Sequence, residues 1–321
     1  MPFDPIDLKL AEIFLPSAMR RIGAAKKHKT RLVHYTSASA ARSILQNKEV
    51  WMRSTTRLND ISEISYGLRL LMDAYSSPVG LEFRKILNEI FPGITTQVET
   101  QFDSHKGSIV NGTFVACLTE QDDDPAKQED EIGRLSMWRG YGTTTGVALV
   151  LSNNLFSLEN ISMPATSPVE YLTKAQFASK LMEVTQLIQT NREFLKNQNL
   201  EIIRNWIFHT LRHAIIGAKH PGFSEEREWR VVLTPSVEET PHVISDIQNV
   251  RGTPEKIWKI PLKDIPGQVA GLEIPVLLDR IIVGPTDSPN HMYEVFVHLL
   301  RNAGVSDAES RVYVSHIPLR V

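Results

Sequence analysis

Residues 31–45 read RLVHYTSASAARSIL, and the step they make from strand to helix decides the fold class. Leu32 to Thr36 is a short run rich in β-branched and apolar residues, as a strand requires. The alanine-rich segment 38–47 has the composition of a helix, and Thr36 or Ser37 stands where a side chain can cap its first amides. His34 and Tyr35 therefore sit at the place where strand gives way to helix. Outward from here, short strands and helices interleave without the regular βαβα alternation of a doubly wound sheet. The pattern predicts an α+β fold.

Downstream, a strand at 50–54 leads to a polar corner, RLNDISE. Asp60 and Glu63 there have the D-x-x-E spacing of a helix start, and the helix should run over about 61–75. Another helical stretch follows near 80–91. GTFVACLTE reads as a buried strand, QDDDPAKQEDE as an acidic loop, LSMWRGYG as a tight helical turn, and GVALVLS as a strand from Gly146. Residues 173–218 are helix-compatible almost throughout, broken around 191–199. Strands return with EREWRVVL, EKIWKIPL, RIIVGPT and RVYVSHI, and SPNHMYEVFVHLLRNAG supplies one clear helix. Residues 1–30 read as an N-terminal extension with a helix at 7–14. Its basic run (Arg20, Arg21, Lys26, Lys27, Lys29, then Arg31) is a solvated connector or a local phosphate contact. From residue 31 to 321 the chain reads as a single domain with a helical insertion at about 173–218, a segment suited to a lid, an acceptor surface or a dimer face.

Bulk properties narrow the function. The 321 residues are 42% hydrophobic and 22% charged, with a formal net charge of −2. That is ordinary for a soluble protein and gives no global pull toward nucleic acid or an anionic membrane. The single cysteine, Cys117, excludes an internal disulfide and reads as an inert core residue. No apolar stretch reaches the roughly 18–20 residues of a membrane span, so a cytoplasmic protein is expected. No H-E-x-x-H, paired C-x-x-C, phosphate-binding G-x-x-x-x-G-K-[ST] or G-x-S-x-G motif is present, and no metal is expected.

Three polar constellations stand out among the apolar strands. The first is His34-Tyr35-Thr36, where an imidazole can hold a ribose hydroxyl or a carboxamide, or merely satisfy buried hydrogen bonds. The second is FSEEREWRVV (223–232). As an extended strand it would place Glu226, Glu228 and Arg230 on one face. Facing a cleft, one carboxylate can stabilise a sugar cation while the other orients or deprotonates an acceptor. Facing solvent, the strand is a charge-alternating edge. The third is MWRGYG (137–142), followed by TTTG. Trp138 and Tyr141 share one face of a turn and can form a wall for a flat ring, or Trp138 can pack into the core.

These blocks, in the order HYTSASAARSILQNKEVWMRSTTRLNDISE, VACLTE, LSMWRGYG, GVALVLS, KHPGFSEEREWRVV, IIVGP and SHIPLR, resemble the bacterial family called domain of unknown function 2971. That family is similar to the ADP-ribosyltransferase superfamily, and the H-x-T opening is similar to that of DarT-type enzymes, which ADP-ribosylate DNA. The resemblance implies an ADP-ribosyltransferase-like α+β fold. It implies NAD as substrate and transfer of ADP-ribose to nucleic acid or protein, in phage defence or a toxin-like role, with an antitoxin-like partner in the latter case. Carried over by position, it makes Glu228 the catalytic carboxylate, with Glu226 as accessory. His34, Tyr35, Thr36, Trp138, Tyr141 and Arg230 become NAD contacts, and Asn59, Asp60 and Glu63 a capping corner. A serine-threonine-serine block on a strand, part of the superfamily pattern, is missing; the TTT at 143–145 is a loose substitute. Two readings compete: an N-glycosidase acting on NAD or a modified base, whose transition state has the same oxocarbenium character, and a noncatalytic binding module.

Overall fold

A computed structural model of the chain describes residues 4–57, 63–122, 124, 126–142, 145–153, 163–250 and 252–318. Among them, helices and a mixed sheet interleave as an α+β fold. Two helices come first, α1 (Pro5–Phe14) and α2 (Pro16–His28), each opened by a proline in its first turn, where the missing N–H costs nothing. Strand β1 (Leu32–Ser37) runs into α3 (Ala38–Asn47), and Ser37 Oγ accepts the Ala40 N–H at 3.2 Å as its cap. After β2 (Glu49–Ser54) come α4 (Glu63–Tyr75), α5 (Pro78–Ile90) and α6 (Ile94–Asn111), then β3 (Phe114–Glu120), the short α7 (Glu129–Ile132) and α8 (Leu135–Tyr141). Strands β4 (Gly146–Leu151), β5 (Ala165–Pro168) and β6 (Glu170–Tyr171) precede α9 (Lys174–Thr190), α10 (Arg192–Lys196) and α11 (Leu200–Ile216). The chain ends with β7 (Ala218–Lys219), β8 (Glu228–Leu233), β9 (Ile244–Val250), β10 (Thr253–Pro261), α12 (Ile274–Leu277), β11 (Leu278–Val283), α13 (Pro289–Asn302) and β12 (Val312–Val314).

The main sheet has the order β12-β11-β4-β1-β3-β2-β10-β9, and it branches. On one edge β3 pairs along its length with β8, which in turn carries β5. On its other edge β3 meets β1 at Leu32 and Val33, and β2 at Arg53 and Ser54. Between those two contacts β1 and β2 diverge, leaving a notch in the sheet beside Cys117.

Each face of the sheet is covered. The larger apolar cluster joins α1, α4, α5, α6, α9 and α11 to Val115 of β3 and Val232 of β8. A second covers the other face with Leu45 of α3, Leu149 of β4, Ile281 of β11 and Phe296 and Leu300 of α13. The N-terminal helices pack onto the rest of the fold: Leu10, Ile13 and Phe14 of α1 are buried in the larger cluster. Three cations of the basic run hold acids: Arg20 meets Glu183, Arg21 meets Glu120, and Arg31 meets Asp279. The helical segment 173–218 contributes to that same core through Leu181 and Ile188 of α9 and Phe208 and Ile215 of α11. The second helix of the pair crosses α4 so closely that a Cβ at Gly67 would stand 2.1 Å from the Ile215 carbonyl oxygen.

Candidate functional site

The site grows from the corner before β8. Pro221–Glu226 is a turn of 3-10 helix, opened by His220, whose Nδ1 accepts the Gly222 N–H at 3.1 Å. Arg227 closes it at φ +44, a left-handed conformation uncommon for a residue with a side chain. Only at Glu228 does the strand begin. The E-x-E segment is therefore not one extended face, and the expected alternation holds for Glu228 and Arg230 but not for Glu226. Across β3, Glu228 stands opposite Thr119 and Arg230 opposite Cys117.

Glu226 nevertheless reaches Glu228 through a residue that the sequence reading passed over. Lys219 Nζ lies 2.6 Å from Glu226 Oε2 and 3.0 Å from Glu228 Oε2. Arg230 adds Nε to Glu228 Oε1 at 2.7 Å and Nη2 to Oε2 at 3.0 Å, and its Nη1 donates to the Ile216 carbonyl at 2.6 Å. Lys219, Glu228 and Arg230 are all buried. Burial alone would push the Glu228 carboxyl up. The charges of Arg230 and Lys219, with hydrogen bonds from Arg230 and Cys117, outweigh it and hold the group at about 2. Glu228 is thus a carboxylate with both oxygens committed to cations. Glu226 is different: its side chain keeps 20% of its surface exposed, and its Oε1 accepts the Tyr141 hydroxyl at 3.1 Å. Burial, then the neighbouring Glu226, raise that phenol well above its usual value, so Tyr141 is a neutral donor at pH 7.

Arg134 joins this corner to β1. Its Nη1 donates to Thr119 Oγ1 at 3.1 Å and to the Glu225 carbonyl at 2.8 Å. Its Nη2 reaches the Glu120 carbonyl at 2.6 Å and Glu129 at 2.8 Å. Its backbone N–H donates to the Tyr35 hydroxyl at 2.8 Å. Thr119 in turn donates to the Glu226 carbonyl. Trp138 takes the bland role. It is 2% exposed, its Nε1 donates to the Ile132 carbonyl at 2.9 Å, and its ring meets that of Tyr35 edge-on at 4.8 Å between centroids. It is core beneath the site, and the expected wall for a nicotinamide ring is reduced to Tyr141.

His34 is where the expectation of a single pocket fails. Val33 pairs with Thr119, and Thr119 with Glu228, so those three side chains share a face. His34 is one residue further and points to the other face, opposite Leu149. Tyr35 belongs with Val33 on the Glu228 face, and Thr36 with His34. At the notch, the His34 Nδ1 donates to the Cys117 carbonyl at 2.9 Å, replacing the ladder bond that the diverging strands give up. His34 and Arg230 both line a cavity of about 750 Å³ that reaches round the β5 edge to α11; Glu226, Glu228, Trp138 and Tyr141 are not in its wall. Asn59 and Asp60 lie outside the described residues, as do Thr143 and Thr144, and of Glu63 only the backbone position at the start of α4 is described. Among the described residues no group of His, Cys, Asp and Glu is arranged to hold a metal ion, and no helix is long and apolar enough to cross a membrane.

Lys219 and Arg134 had a weak signal in the sequence. Each is a cation beside a segment already singled out, Lys219 in KHPGFSEERE and Arg134 just before LSMWRGYG, and neither has a helical or strand periodicity to explain it.

The fold and this corner define an α+β protein with a buried ionic cluster at a branched sheet. Residues 137–231 match the family described as "Protein of unknown function (DUF2971)", which supports the resemblance read from the sequence blocks. The matched segment carries Tyr141, Lys219, Glu226, Glu228 and Arg230, and leaves out His34. No curated protein and no solved structure matches the chain.

Proposed function

We propose that this chain cleaves the nicotinamide–ribose bond of NAD and transfers ADP-ribose to a macromolecular acceptor, nucleic acid or protein, in the cytoplasm, with Glu226 as the working carboxylate. One observation carries the reading. Tyr141 and Glu226, from two separately singled-out segments, meet at 3.1 Å on a partly exposed carboxylate. Bond cleavage leaves the electron pair on nicotinamide, which departs neutral and needs no acid. The ribosyl cation left behind needs fixed negative charge beside it, and an accessible carboxylate held by Lys219 and Tyr141 supplies that without reorganising. The acceptor then attacks the anomeric carbon, and its proton passes to Glu226 and on to water. Glu228, neutralised by two cations, is a positioning residue that fixes Lys219. Such an activity suits phage defence or a toxin-like role.

The test is incubation with NAD and candidate acceptors, read by mass spectrometry. Nicotinamide release with a mass gain on the acceptor is expected, and Glu226→Gln should lower the rate on the order of 10²–10³-fold in a folded protein. Free ADP-ribose alone would make it a hydrolase. No release by the wild type, or full activity in Glu226→Gln, removes the assignment. A second reading, a binding module without turnover, is favoured by the full commitment of both Glu228 oxygens to cations.

A further inference from the structure

On the opposite face of the sheet lies a space that the NAD reading does not use. The cavity of about 750 Å³ is walled by β1, β3, β4, α2, α3 and α11, and its volume falls within the range of small-molecule pockets. Most of its wall is aliphatic, including Ile44, Leu118, Leu149, Leu151 and Leu277. Into it projects His34. The ring lies deep in the fold yet keeps accessible surface, because it borders the cavity. Its Nδ1 faces the Cys117 carbonyl at 2.9 Å, and a carbonyl can only accept, so Nδ1 carries the hydrogen. Burial lowers the imidazole below its usual value, against the opposing effect of the Cys117 carbonyl. The ring is therefore neutral at pH 7, and Nε2 carries a lone pair. No described residue bonds Nε2.

We infer that this cavity binds a neutral, largely hydrocarbon small molecule that presents one hydroxyl or amide N–H to His34 Nε2. An acceptor lone pair in an apolar wall costs free energy unless something donates to it, and a hydroxyl or amide on an apolar body meets both demands. An anion finds no surplus of positive charge here. Arg212 in the wall is bonded to Glu238 at 2.7 Å and Arg230 to Glu228 at 2.7 Å, and Lys26, the third cation of the wall, is matched in charge by Glu239. The inference is independent of NAD cleavage, because neither Tyr141 nor Glu226 borders the cavity.

The experiment uses the whole chain and the neutral probe Nile red, whose emission shifts to the blue in apolar surroundings. Saturable binding is expected, with displacement by 1-dodecanol at a concentration about tenfold lower than by dodecyl methyl ether, which lacks the donor. In His34→Phe the two competitors should become equal. Leu149→Trp, which fills the cavity, should weaken Nile red binding at least about tenfold. If Leu149→Trp does not fold, Ile44→Trp, at a partly exposed position in the wall, makes the same test. Unsaturable binding, binding unchanged in a folded filling variant, or an alcohol preference that survives His34→Phe would overturn the inference. So would dodecanoate displacing the probe better than dodecanol.

Discussion

Lys219 and Glu228, nine positions apart in sequence, meet at 3.0 Å where their side chains are only 4% and 6% exposed. They come from different strands, β7 and β8, joined by the 3-10 turn that carries Glu226. A cation in that position bridges two carboxylates at once, and Arg230 then leaves Glu228 with no unpaired oxygen.

Removing the cation should therefore be costly. Lys219→Met leaves Glu226 and Glu228 facing one another, with Arg230 still bonded to Glu228 but no longer a cation between the two. Breaking a buried pair of this kind costs about 3–5 kcal/mol. Urea unfolding at pH 7 should show that loss, and a loss below about 1 kcal/mol would mean that water reaches the cluster.

The same cluster sets an acid limit. Glu228 sits at about 2 in the folded chain, against an ordinary value of 4.5. A depressed folded value contributes stability in full above the ordinary value, and that contribution is lost as pH falls through the folded one. The stability gap between wild type and Glu228→Gln should be widest at neutral pH and shrink from about pH 4.5 toward about pH 2. Paired urea titrations across that window check it, and a gap that widens on acidification contradicts the sign.

Two neighbours in MWRGYG should separate stability from chemistry. Trp138→Phe removes buried ring surface and the bond to the Ile132 carbonyl, so it should lower the melting temperature and leave the NAD KM close to that of the wild type. Tyr141→Phe keeps the ring and deletes the hydroxyl bond to Glu226, so it should leave the melting temperature nearly unchanged and lower kcat about tenfold or more. Thermal unfolding with steady-state kinetics on both variants reads the split.

Two helical glycines should respond in opposite directions. Gly67→Ala would set a methyl 2.1 Å from the Ile215 carbonyl oxygen and force α4 away from α11, costing about 1–3 kcal/mol. Gly107→Ala, inside α6 with nothing within 4 Å of the added methyl, should stabilise by about 0.5–1 kcal/mol through helix propensity. Chemical denaturation of the pair decides it.

Much of the fold was legible, for reasons visible residue by residue. Apolar runs marked β1, β3, β4 and β11, and the helices expected at 61–75 and 80–91 are α4 from Glu63 and α5 from Pro78. What was missed is polar on its surface. Helix α6 buries only Ile94, Thr95, Val98, Phe102 and Ile109 of its eighteen residues, too sparse a stripe for periodicity to expose. Strand β9 is a sheet edge whose Ile244 and Ile247 stay exposed, so burial never imposed a pattern on it. The site was half legible. Tyr141, Glu226, Glu228 and Arg230 do gather, but the 3-10 turn that breaks the E-x-E strand depends on Arg227 adopting a left-handed backbone, for which its residue type gives no warning. The facing of His34 was hidden for another reason. A side chain's face follows from strand register, and register across β1, β3 and β8 is set by pairings between strands far apart in the sequence, such as Val33 with Thr119 and Thr119 with Glu228.

The branching of the sheet at β3 also orders how the molecule loosens. This strand is flanked by β8 on one side and, except at the Cys117 notch, by β1 and β2 on the other, so its paired amides cannot meet deuterium until several neighbours have let go. Fluctuations that fray β9 or β12 at the rim leave β3 untouched. Isotope labelling should therefore fill the periphery first and reach residues 114–116, 118 and 119 only with global opening.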